Sequence, residues 1–197
     1  AHSALTHEGV NAVEYASEIV AYLKTMARRH RDQGPFDDGF TPPYTTIHAG
    51  TIRGGTAVNI VPRECTFDFE IRAIPADDPQ ALFHELRDYA VAKLLPEMKT
   101  VSAGATIHFH VLNDSPGLSV APDAAIVRLV QALSGANNTG KVSYTAEAGL
   151  FQAADIPAVI CGPGSIEQAH KPNEFIALDQ VARCEVFLQR LLEHLRA

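Results

Sequence analysis

The amino-acid sequence predicts an α+β first half followed by a second half of α/β type. Residues 44–74 alternate apolar and polar side chains on either side of a Gly-Gly pair, which is typical of an antiparallel hairpin with one covered face. Helical spacing of apolar residues precedes and follows this hairpin. Beyond residue 115, short apolar runs alternate with helical segments, a pattern typical of a parallel α/β layer.

Two helices are predicted in the first half. The first runs from Gly9 to about Arg29 and carries two parallel apolar rows. The second begins at Asp77-Asp78-Pro79 and runs to about Leu95, with its acids at the positive end of the helix dipole. One row of the first helix consists of Val10, Val13, Val20, Leu23 and Ala27, and the other of Ala12, Tyr15, Ile19, Tyr22 and Met26.

The strands of the first half are predicted to form an antiparallel sheet with both helices on one face. Residues 44–53 form one strand, Gly54-Gly55 turns the chain, and residues 56–74 return. A further strand is predicted at Thr106–Leu112. The side chains expected to face inward are Phe67, Phe69, Ile71 and Ala73 on the return strand, and Ile107, Phe109 and Val111 on the further strand.

The second half is predicted to hold a helix after Asp123, a strand near residues 141–144 and a helical turn near 147–153. A strand buried on both faces is predicted at residues 158–161, before a closing helix with apolar residues at Val181, Cys184, Leu188, Leu191 and Leu195. Two strands cannot form such a sheet by themselves, because both its faces and both its edges must be covered. We therefore interpret the second half as the tail end of a larger domain that begins before residue 1.

Composition excludes some classes of function. The 197 residues carry a formal net charge of −7, and the charges are scattered, which argues against binding to nucleic acid or to an anionic membrane. No apolar run approaches the ~20 residues of a membrane span. Three cysteines lie far apart and are expected to be reduced, buried thiols of a cytosolic protein.

The segment from Cys161 to Glu174 is the most informative for chemistry. Its Gly-Pro-Gly turn follows the predicted buried strand, and His170 comes next on a loop that Pro172 keeps from becoming helical. Ligands of open α/β sheets bind at the carboxyl ends of strands. An imidazole there indicates a metal ligand or a general base, whereas a hydrogen-bonded or solvated loop histidine is the structural alternative.

Further residues allow two interpretations each. Arg72 on the open face of its strand forms either an ion pair with Glu70 or a fork for a substrate carboxylate. Asn59 either satisfies local backbone or polarises a substrate carbonyl. His2 is either a frayed terminal residue or an oxyanion donor, and Glu147 is either a helix-start acid or a ligand for a cationic group.

His108 and His110 share a strand face, so they are either a metal pair or a solvated face, and the solvated face is favoured. The sequence contains no Gly-x-Ser-x-Gly elbow, phosphate loop, dinucleotide fingerprint or His-Glu-x-x-His. These absences argue against serine hydrolases, nucleotide-dependent enzymes and zincins.

Six segments in order resemble the two-metal amidohydrolase family, which includes acetylornithine deacetylase, succinyl-diaminopimelate desuccinylase, aminoacylase and glutamate carboxypeptidase. The resemblance covers nearly the whole chain and is greatest to the acetylornithine deacetylase branch. The segments are Ala1-His-Ser-Ala4, Gly9-Val-Asn-Ala12, Gly54-Gly-Thr-Ala-Val-Asn-Ile-Val-Pro62, Phe69-Glu-Ile-Arg72, Thr145-Ala-Glu-Ala-Gly149 and Gly162-Pro-Gly-Ser-Ile-Glu-Gln-Ala-His-Lys-Pro-Asn-Glu174.

This resemblance implies a lid and dimerisation domain at residues 1–115 and the C-terminal portion of a metallo-aminopeptidase-like catalytic α/β domain at residues 116–197. It implies a cytoplasmic homodimer that uses two zinc or cobalt ions and hydrolyses an N-acyl amino acid. The preferred substrate would be N-acetylornithine, an intermediate of arginine biosynthesis. Another deacylase specificity of the family, or a non-catalytic lid-like dimerisation module, is the alternative.

The resemblance also assigns roles to residues. It makes His170 a metal ligand and makes His2 an oxyanion donor that acts on the partner's active site. It assigns Asn59 and Arg72 to the substrate carbonyl and carboxylate. The remaining assignments are Glu147 to the ornithine amine, and Gly162 and Gly164 to the pocket wall.

The family's His-x-Asp ligand segment, bridging aspartate and Glu-Glu pair have no counterpart in the matched segments. Two-metal hydrolysis needs both ions, and one imidazole does not hold either. The chain alone is therefore expected to be inactive and to bind no stoichiometric metal.

Overall fold

The computed structural model describes residues 1–144 and 146–196. The chain divides into two compact units, and each is described here by itself. The first consists of Ala1–Asp114 with Lys141–Ser143, and the second of Ser115–Gly140 with Tyr144–Ala197.

Helix α1 (Ala12–Gln33) is the longest element of the first unit. Asn11 caps its start, because its side-chain oxygen accepts hydrogen bonds from the backbone N–H groups of Val13 at 3.1 Å and Glu14 at 3.2 Å. Gly34, at φ 75°, ends it in a conformation that favours glycine. The predicted first helix is confirmed, and a short 3-10 turn at Thr6–Glu8 precedes it.

Strands β1 (Thr46–Gly54) and β2 (Cys65–Arg72) form an antiparallel ribbon. The predicted two-residue turn is wrong, because residues 55–64 connect the strands and the return strand begins at Cys65 instead of residue 56. The register runs from Thr46 opposite Arg72 to Gly54 opposite Cys65, with a bulge between Ala49 and Thr51. Burial along β2 alternates as the sequence predicts, and its apolar side chains pack against the helices.

A second helical stretch begins where predicted and ends later than predicted. Asp78 caps α2 (Pro79–Tyr89) by accepting from the N–H of Gln80 at 2.9 Å. The helix continues through a π-helical turn at Ala90–Leu94 into α3 (Leu95–Val101), six residues beyond the predicted end. The π-helical turn ends two residues before Pro96, whose missing N–H would interrupt a regular helix ladder.

The core of the first unit lies between α1, α2 and one face of the ribbon. Its members are Ile19, Leu23, Met26, Ile47, Leu82, Leu86, Ala90 and Leu94. This single core, built from two helices on one face of an antiparallel sheet, confirms the predicted α+β class of the first half.

The second apolar row of α1 packs inside its own unit. Ile19 and Met26 are buried in the core, and Tyr22 stacks on Tyr89 with ring centroids 3.9 Å apart. Tyr22 also donates to Glu85 at 3.0 Å, and Arg29 clamps that carboxylate with bonds of 2.8 and 2.7 Å. These hydrogen bonds tie α1 to α2.

The strand predicted at Thr106–Leu112 is not formed. Ile107 and Phe109 pack against the core as expected, whereas Val111 is 64% exposed. Alternation determines which side chains face a core, but a strand also needs backbone hydrogen bonds to a neighbouring strand, and in the described residues β1 and β2 pair with each other and not with this segment.

The second unit contains α4 (Ala125–Ser134), α5 (Ala148–Ala153) and α6 (Leu178–Arg196), with a 3-10 turn at Ile166–Gln168. Helices α4 and α6 are in contact, and Arg190 donates to the carbonyl of Leu133 at 2.9 Å. The three predicted helical segments of this half are therefore present.

The strands predicted near residues 141–144 and 158–161 are absent from the described part of this half, which corrects the sequence interpretation. Ile160 is 42% exposed and Cys161 is exposed, so neither a doubly buried strand nor a buried thiol is found there. A run of apolar residues becomes such a strand only when neighbouring strands and covering helices surround it. All three cysteines are free, and Cys65 and Cys184 are half-buried. No helix in the described chain is long and apolar enough to cross a membrane.

Candidate functional site

The N-terminal residues and the turn after β1 form one small structure. His2 pairs with Ile60 in an antiparallel bridge, and the N–H of Ser3 donates to the carbonyl of Asn59 at 3.0 Å. The N–H of Val61 donates in turn to Ala1 at 3.0 Å. The structure thus brings His2 and Asn59 together, although they are far apart in the sequence.

The hydrogen bonding of His2 fixes which ring nitrogen can donate. Its Nδ1 accepts the backbone N–H of Ala4 at 3.1 Å. A neutral imidazole that accepts at Nδ1 carries its proton on Nε2. Because His2 is exposed, this Nε2–H is available to an outside acceptor. The ring is therefore held by a hydrogen bond and is not merely a frayed terminus.

Arg72 lies at the other end of the ribbon and is paired within its own strand. Its guanidinium binds Glu70 through Nε at 3.0 Å and Nη2 at 3.2 Å, and both side chains are about half exposed. Nη1 approaches the carbonyl of Ser143 at 3.4 Å. Arg72 thus forms the ion pair that was one of its two predicted interpretations, and a substrate carboxylate would have to displace the half-exposed Glu70.

The ribbon separates Arg72 from the pair formed by His2 and Asn59. Arg72 lies opposite Thr46, whereas the other end of the ribbon is formed by Gly54 and Cys65. Seven residue steps of β2 span about 23 Å. Asn59 lies in the connection beyond that far end, so one chain does not place Asn59 and Arg72 around the same small molecule.

Glu147 directly precedes α5 in the second unit. Its backbone carbonyl accepts the N–H groups of Leu150 at 2.9 Å and Phe151 at 3.2 Å, while its exposed side chain makes no capping hydrogen bond. Gly149 is buried against Pro116, where an added Cβ would lie 1.9 Å from the carbonyl oxygen. This close contact fixes the start of α5 and leaves the carboxylate of Glu147 free to face solvent. Thr145, the first residue of the motif, lies outside the described residues.

The loop from Gly162 to Glu174 is held by its own hydrogen bonds. Gly164 has φ 96°, which favours glycine, and Gly162 has open space around its Cα. His170 adopts φ 62°, an unusual backbone conformation for a residue with a Cβ, and its N–H donates to Glu174 Oε2 at 3.2 Å. Its ring belongs to an exposed residue, so the loop presents the imidazole on the surface of the unit.

Across residues 1–144 and 146–196, no group of three or more potential metal ligands is found. The donor set of this chain therefore does not fit a two-metal centre, and His170 could supply only one ligand to it. His108 and His110 are exposed and do not take part in such a group either.

Sequence reasoning passed over one His-x-Asp triplet, residues 30–32. It does not form a metal pair, because His30 is buried in the helix core and Asp32 is exposed and forked by Arg31 at 2.6 and 2.9 Å. His30 continues the buried row of α1, four residues after Met26, and that spacing is the signal that could have identified it as a core residue.

His30 belongs to a buried polar cluster at the end of α1. Its Nδ1 lies 3.2 Å from Asp77 Oδ2 without forming a hydrogen bond, and the hydroxyl of Thr45 donates to that oxygen. Thr45 accepts the N–H of Ile74 at 3.1 Å. The cluster joins the end of α1 to the segment between β2 and α2, which indicates a structural role.

Comparison with known proteins finds a family model for the first unit and relatives similar to nearly the whole chain. Residues 1–98 match the family model described as "Peptidase dimerisation domain". The chain is 31% identical over 193 residues to acetylornithine deacetylase of Myxococcus xanthus, covering 98% of this chain and 49% of that protein. It is 34% identical over 192 residues to acetylornithine deacetylase of Pasteurella multocida, covering 97% of this chain and 48% of that protein.

The crystal structure of aminopeptidase PepT from Bacillus cereus shares the fold, with a TM-score of 0.60 at 20% identity over 95% of this chain and 46% of that one. The chain spans about half the length of the curated relatives it matches. The first half of the chain therefore belongs to the peptidase dimerisation domain family, and nearly the whole chain is similar to proteins named acetylornithine deacetylase.

Proposed function

We propose that this chain is the lid and C-terminal catalytic portion of a metal-dependent amidohydrolase that converts N-acetylornithine and water to ornithine and acetate. The observation that supports this most is the similarity to proteins named acetylornithine deacetylase over 97–98% of the chain. The reaction breaks the amide C–N bond, adds the water oxygen to the acyl carbon and leaves a proton on the departing amine.

Each candidate residue has a place in this proposal. The guanidinium of Arg72 binds the substrate carboxylate, and the carboxylate of Glu147 binds the side-chain amine of ornithine. Gly162 and Gly164 form part of the pocket wall in the complete enzyme. His2 donates its Nε2 proton to the developing oxyanion, and the hydrogen bond to Nδ1 supports this role.

The length of the ribbon favours a site shared between two copies of the chain. An N-acyl amino acid is much shorter than the roughly 23 Å that separate the ends of β2. In a homodimer, one copy would supply Arg72 while the partner supplies His2 together with Asn59. The pairing of His2 with the Asn59 turn supports their action as one unit, and this differs from the sequence expectation that Asn59 acts beside Arg72.

Two zinc or cobalt ions would supply the activating charge in the complete enzyme. His170 would contribute a single ligand, and the remaining ligands and the general base would come from the portion of the longer relatives that this chain does not match. The chain alone is proposed to be inactive, and the complete enzyme to be cytoplasmic.

Steady-state kinetics of a full-length enzyme that contains this segment test the proposal. We expect kcat/KM for N-acetylornithine to exceed the values for N-acetylmethionine and succinyl-diaminopimelate. Replacing His2 by Ala should lower kcat about 100-fold or more, and replacing the exposed His7 should leave it unchanged. Preference for another acyl amino acid would replace the substrate assignment, and no deacylase activity would contradict the proposal.

A non-catalytic dimerisation module is the second candidate. The observation in its favour is that the first unit has a continuous core of its own, built from α1, α2 and the ribbon. Zinc analysis separates the two candidates in the full-length protein, because the enzyme would bind two ions per chain and the module none.

A further inference from the structure

The open face of β2 carries an ion pair that occupies the candidate substrate-binding group. Glu70 and Arg72 are two residues apart on the strand, so both side chains point away from the core. The two carboxylate oxygens of Glu70 accept from Nε of Arg72 at 3.0 Å and from Nη2 at 3.2 Å. This bidentate contact is the one that a guanidinium offers to a substrate carboxylate. Glu70 therefore competes for Arg72 with any ligand that binds there through a carboxylate.

The surroundings of the pair provide Glu70 with no second cation. In the described part of the chain, Arg72 is the only ion-pair partner of Glu70 within 4.0 Å. His48 lies opposite Glu70 in the ladder, so no lysine or arginine of β1 stands across from the acid. Arg72 has a further contact, because its Nη1 approaches the carbonyl of Ser143 at 3.4 Å. When a ligand displaces Glu70, the guanidinium keeps a protein contact, whereas the carboxylate of Glu70 loses its ion pair.

The charge of the ligand determines whether this exchange loses an ion pair. A ligand with one carboxylate and an uncharged side chain replaces one ion pair by another and leaves Glu70 unpaired. A ligand that also carries an ammonium group gives Glu70 a new partner, so two ion pairs form where one was broken. A ligand with a second carboxylate brings a like charge close to Glu70, which is unfavourable. The pair therefore favours basic side chains over neutral ones, and neutral ones over acidic ones.

The spacing of the two side chains suits a basic ligand of limited length. Residues i and i+2 of a strand lie about 7 Å apart and point to the same side. In an extended ornithine, about 6 Å separates the carboxyl carbon from the side-chain nitrogen. A molecule of this length can place its carboxylate on Arg72 and its ammonium group on Glu70 at the same time.

We propose that Glu70 determines the specificity of the site, because it leaves Arg72 to bind the side-chain ammonium group of a basic N-acyl amino acid. This inference rests on the proposed function, which assigns that ammonium group to Glu147, and it adds a second acid on the strand that carries Arg72. Exposed ion pairs are individually weak, so Glu70 selects among substrates and is not required for hydrolysis.

Kinetics of the full-length enzyme with two matched substrates test the proposal. N-acetylnorvaline has the carbon skeleton of N-acetylornithine without the terminal amine. Glu70→Gln removes the negative charge, so kcat/KM for N-acetylornithine should fall about tenfold. For N-acetylnorvaline, kcat/KM should rise about threefold, because the competing carboxylate is gone. Both changes should appear in KM with kcat nearly unchanged, since Glu70 acts on binding.

Two further variants separate Glu70 from the other acids. Asp68→Asn makes the same change in net charge on the same face of β2, where Asp68 accepts from the hydroxyl of Thr51 at 2.5 Å. It should leave the ratio of the two kcat/KM values unchanged. Glu147→Gln should lower kcat/KM for N-acetylornithine without raising it for N-acetylnorvaline, because Glu147 does not occupy the fork of Arg72.

Binding and folding measurements complete the test. Isothermal titration calorimetry of the metal-free enzyme compares the affinities for the two substrates without turnover and should give the same opposite changes in Glu70→Gln. Circular dichroism verifies that each variant is folded. If Glu70→Gln is not, Glu70→Thr replaces it with the same expectations, because threonine is well tolerated in strands.

The outcomes distinguish this inference from the proposed function. Equal losses for both substrates in Glu70→Gln would mean that Glu70 only supports Arg72, and the specificity role would be wrong while the deacylase stands. Unchanged values for both substrates would also overturn that role. An unaltered enzyme that hydrolyses neither substrate would contradict the proposed function and this inference with it.

Discussion

The two compact units differ in how their amphipathic helices are covered. Helix α1 has 22 residues, and its buried row runs from Ala16 to His30 against the ribbon and α2. Helix α6 has 19 residues with a similar apolar spacing, yet none of its described residues is buried. Leu188 is 50% exposed and Leu192 54%. Apolar spacing is thus sufficient to predict a helix, but its burial depends on what the rest of the fold supplies.

Truncation of one helix leucine in each unit gives the largest expected contrast. Leu86→Ala removes a fully buried side chain from the first unit and should lower the free energy of unfolding by about 3 kcal/mol. Leu192→Ala on α6 should change it by about 0.5 kcal/mol or less, because that side chain is half exposed already. Urea unfolding followed by circular dichroism measures both, and equal losses would contradict the difference between the units.

Substitution of Gly149 tests whether its close contact with Pro116 contributes to the stability of the second unit. Gly149→Ala would place a Cβ 1.9 Å from the carbonyl oxygen of Pro116, so α5 must shift, at a cost of about 2 kcal/mol. Gly117→Ala is the matched control, because nothing lies within 4 Å of an added Cβ there. Limited proteolysis should cleave the Gly149 variant faster within residues 144–160 only. Equal cleavage of the two variants would mean that this contact does not hold α5 in place.

The clamp at Glu85 should make the first unit sensitive to acid. Hydrogen bonds from Arg29 hold the pKa of Glu85 below its usual value, although partial burial acts in the opposite direction. A lowered pKa in the folded state contributes stability that is present above the usual carboxyl pKa and is lost as the pH falls through the folded value. Glu85→Gln should cost about 1 kcal/mol at neutral pH and less as the pH falls below 4.

Glu97→Gln is a useful comparison for this prediction, because Glu97 is an exposed acid of α3 outside the Arg29 clamp. Unfolding free energies at several pH values distinguish the two variants. If the free energy of unfolding falls equally at low pH in the unaltered chain and in Glu85→Gln, Glu85 is not the source of the acid sensitivity.

Local sequence pattern predicted the elements that depend on neighbours in the chain. The start of α2 at the Asp78 cap follows from short-range chemistry, and so does the alternation along β1 and β2. The length of the connection between the two strands does not, because residues 55–64 lie where a two-residue turn was predicted. The absent strand at residues 158–161 depends on neighbouring strands, and no local pattern shows whether these are present.

The candidate site shows the same limit. Motifs identified His2 and Asn59 separately, but their pairing depends on backbone hydrogen bonds between residues 1–3 and 59–61. The separation of Asn59 from Arg72 follows from the strand register, which residue roles taken from a family do not specify.

Hydrogen–deuterium exchange of the intact chain tests the contrast between the units most directly, because it measures the stability of both in one sample. We expect amides of residues 16–30 and 82–94 to exchange slowest, at rates set by global unfolding of the first unit. Amides of residues 178–196 should exchange at least about 100-fold faster, since α6 lacks a buried face. Equal protection of α1 and α6 would contradict the account.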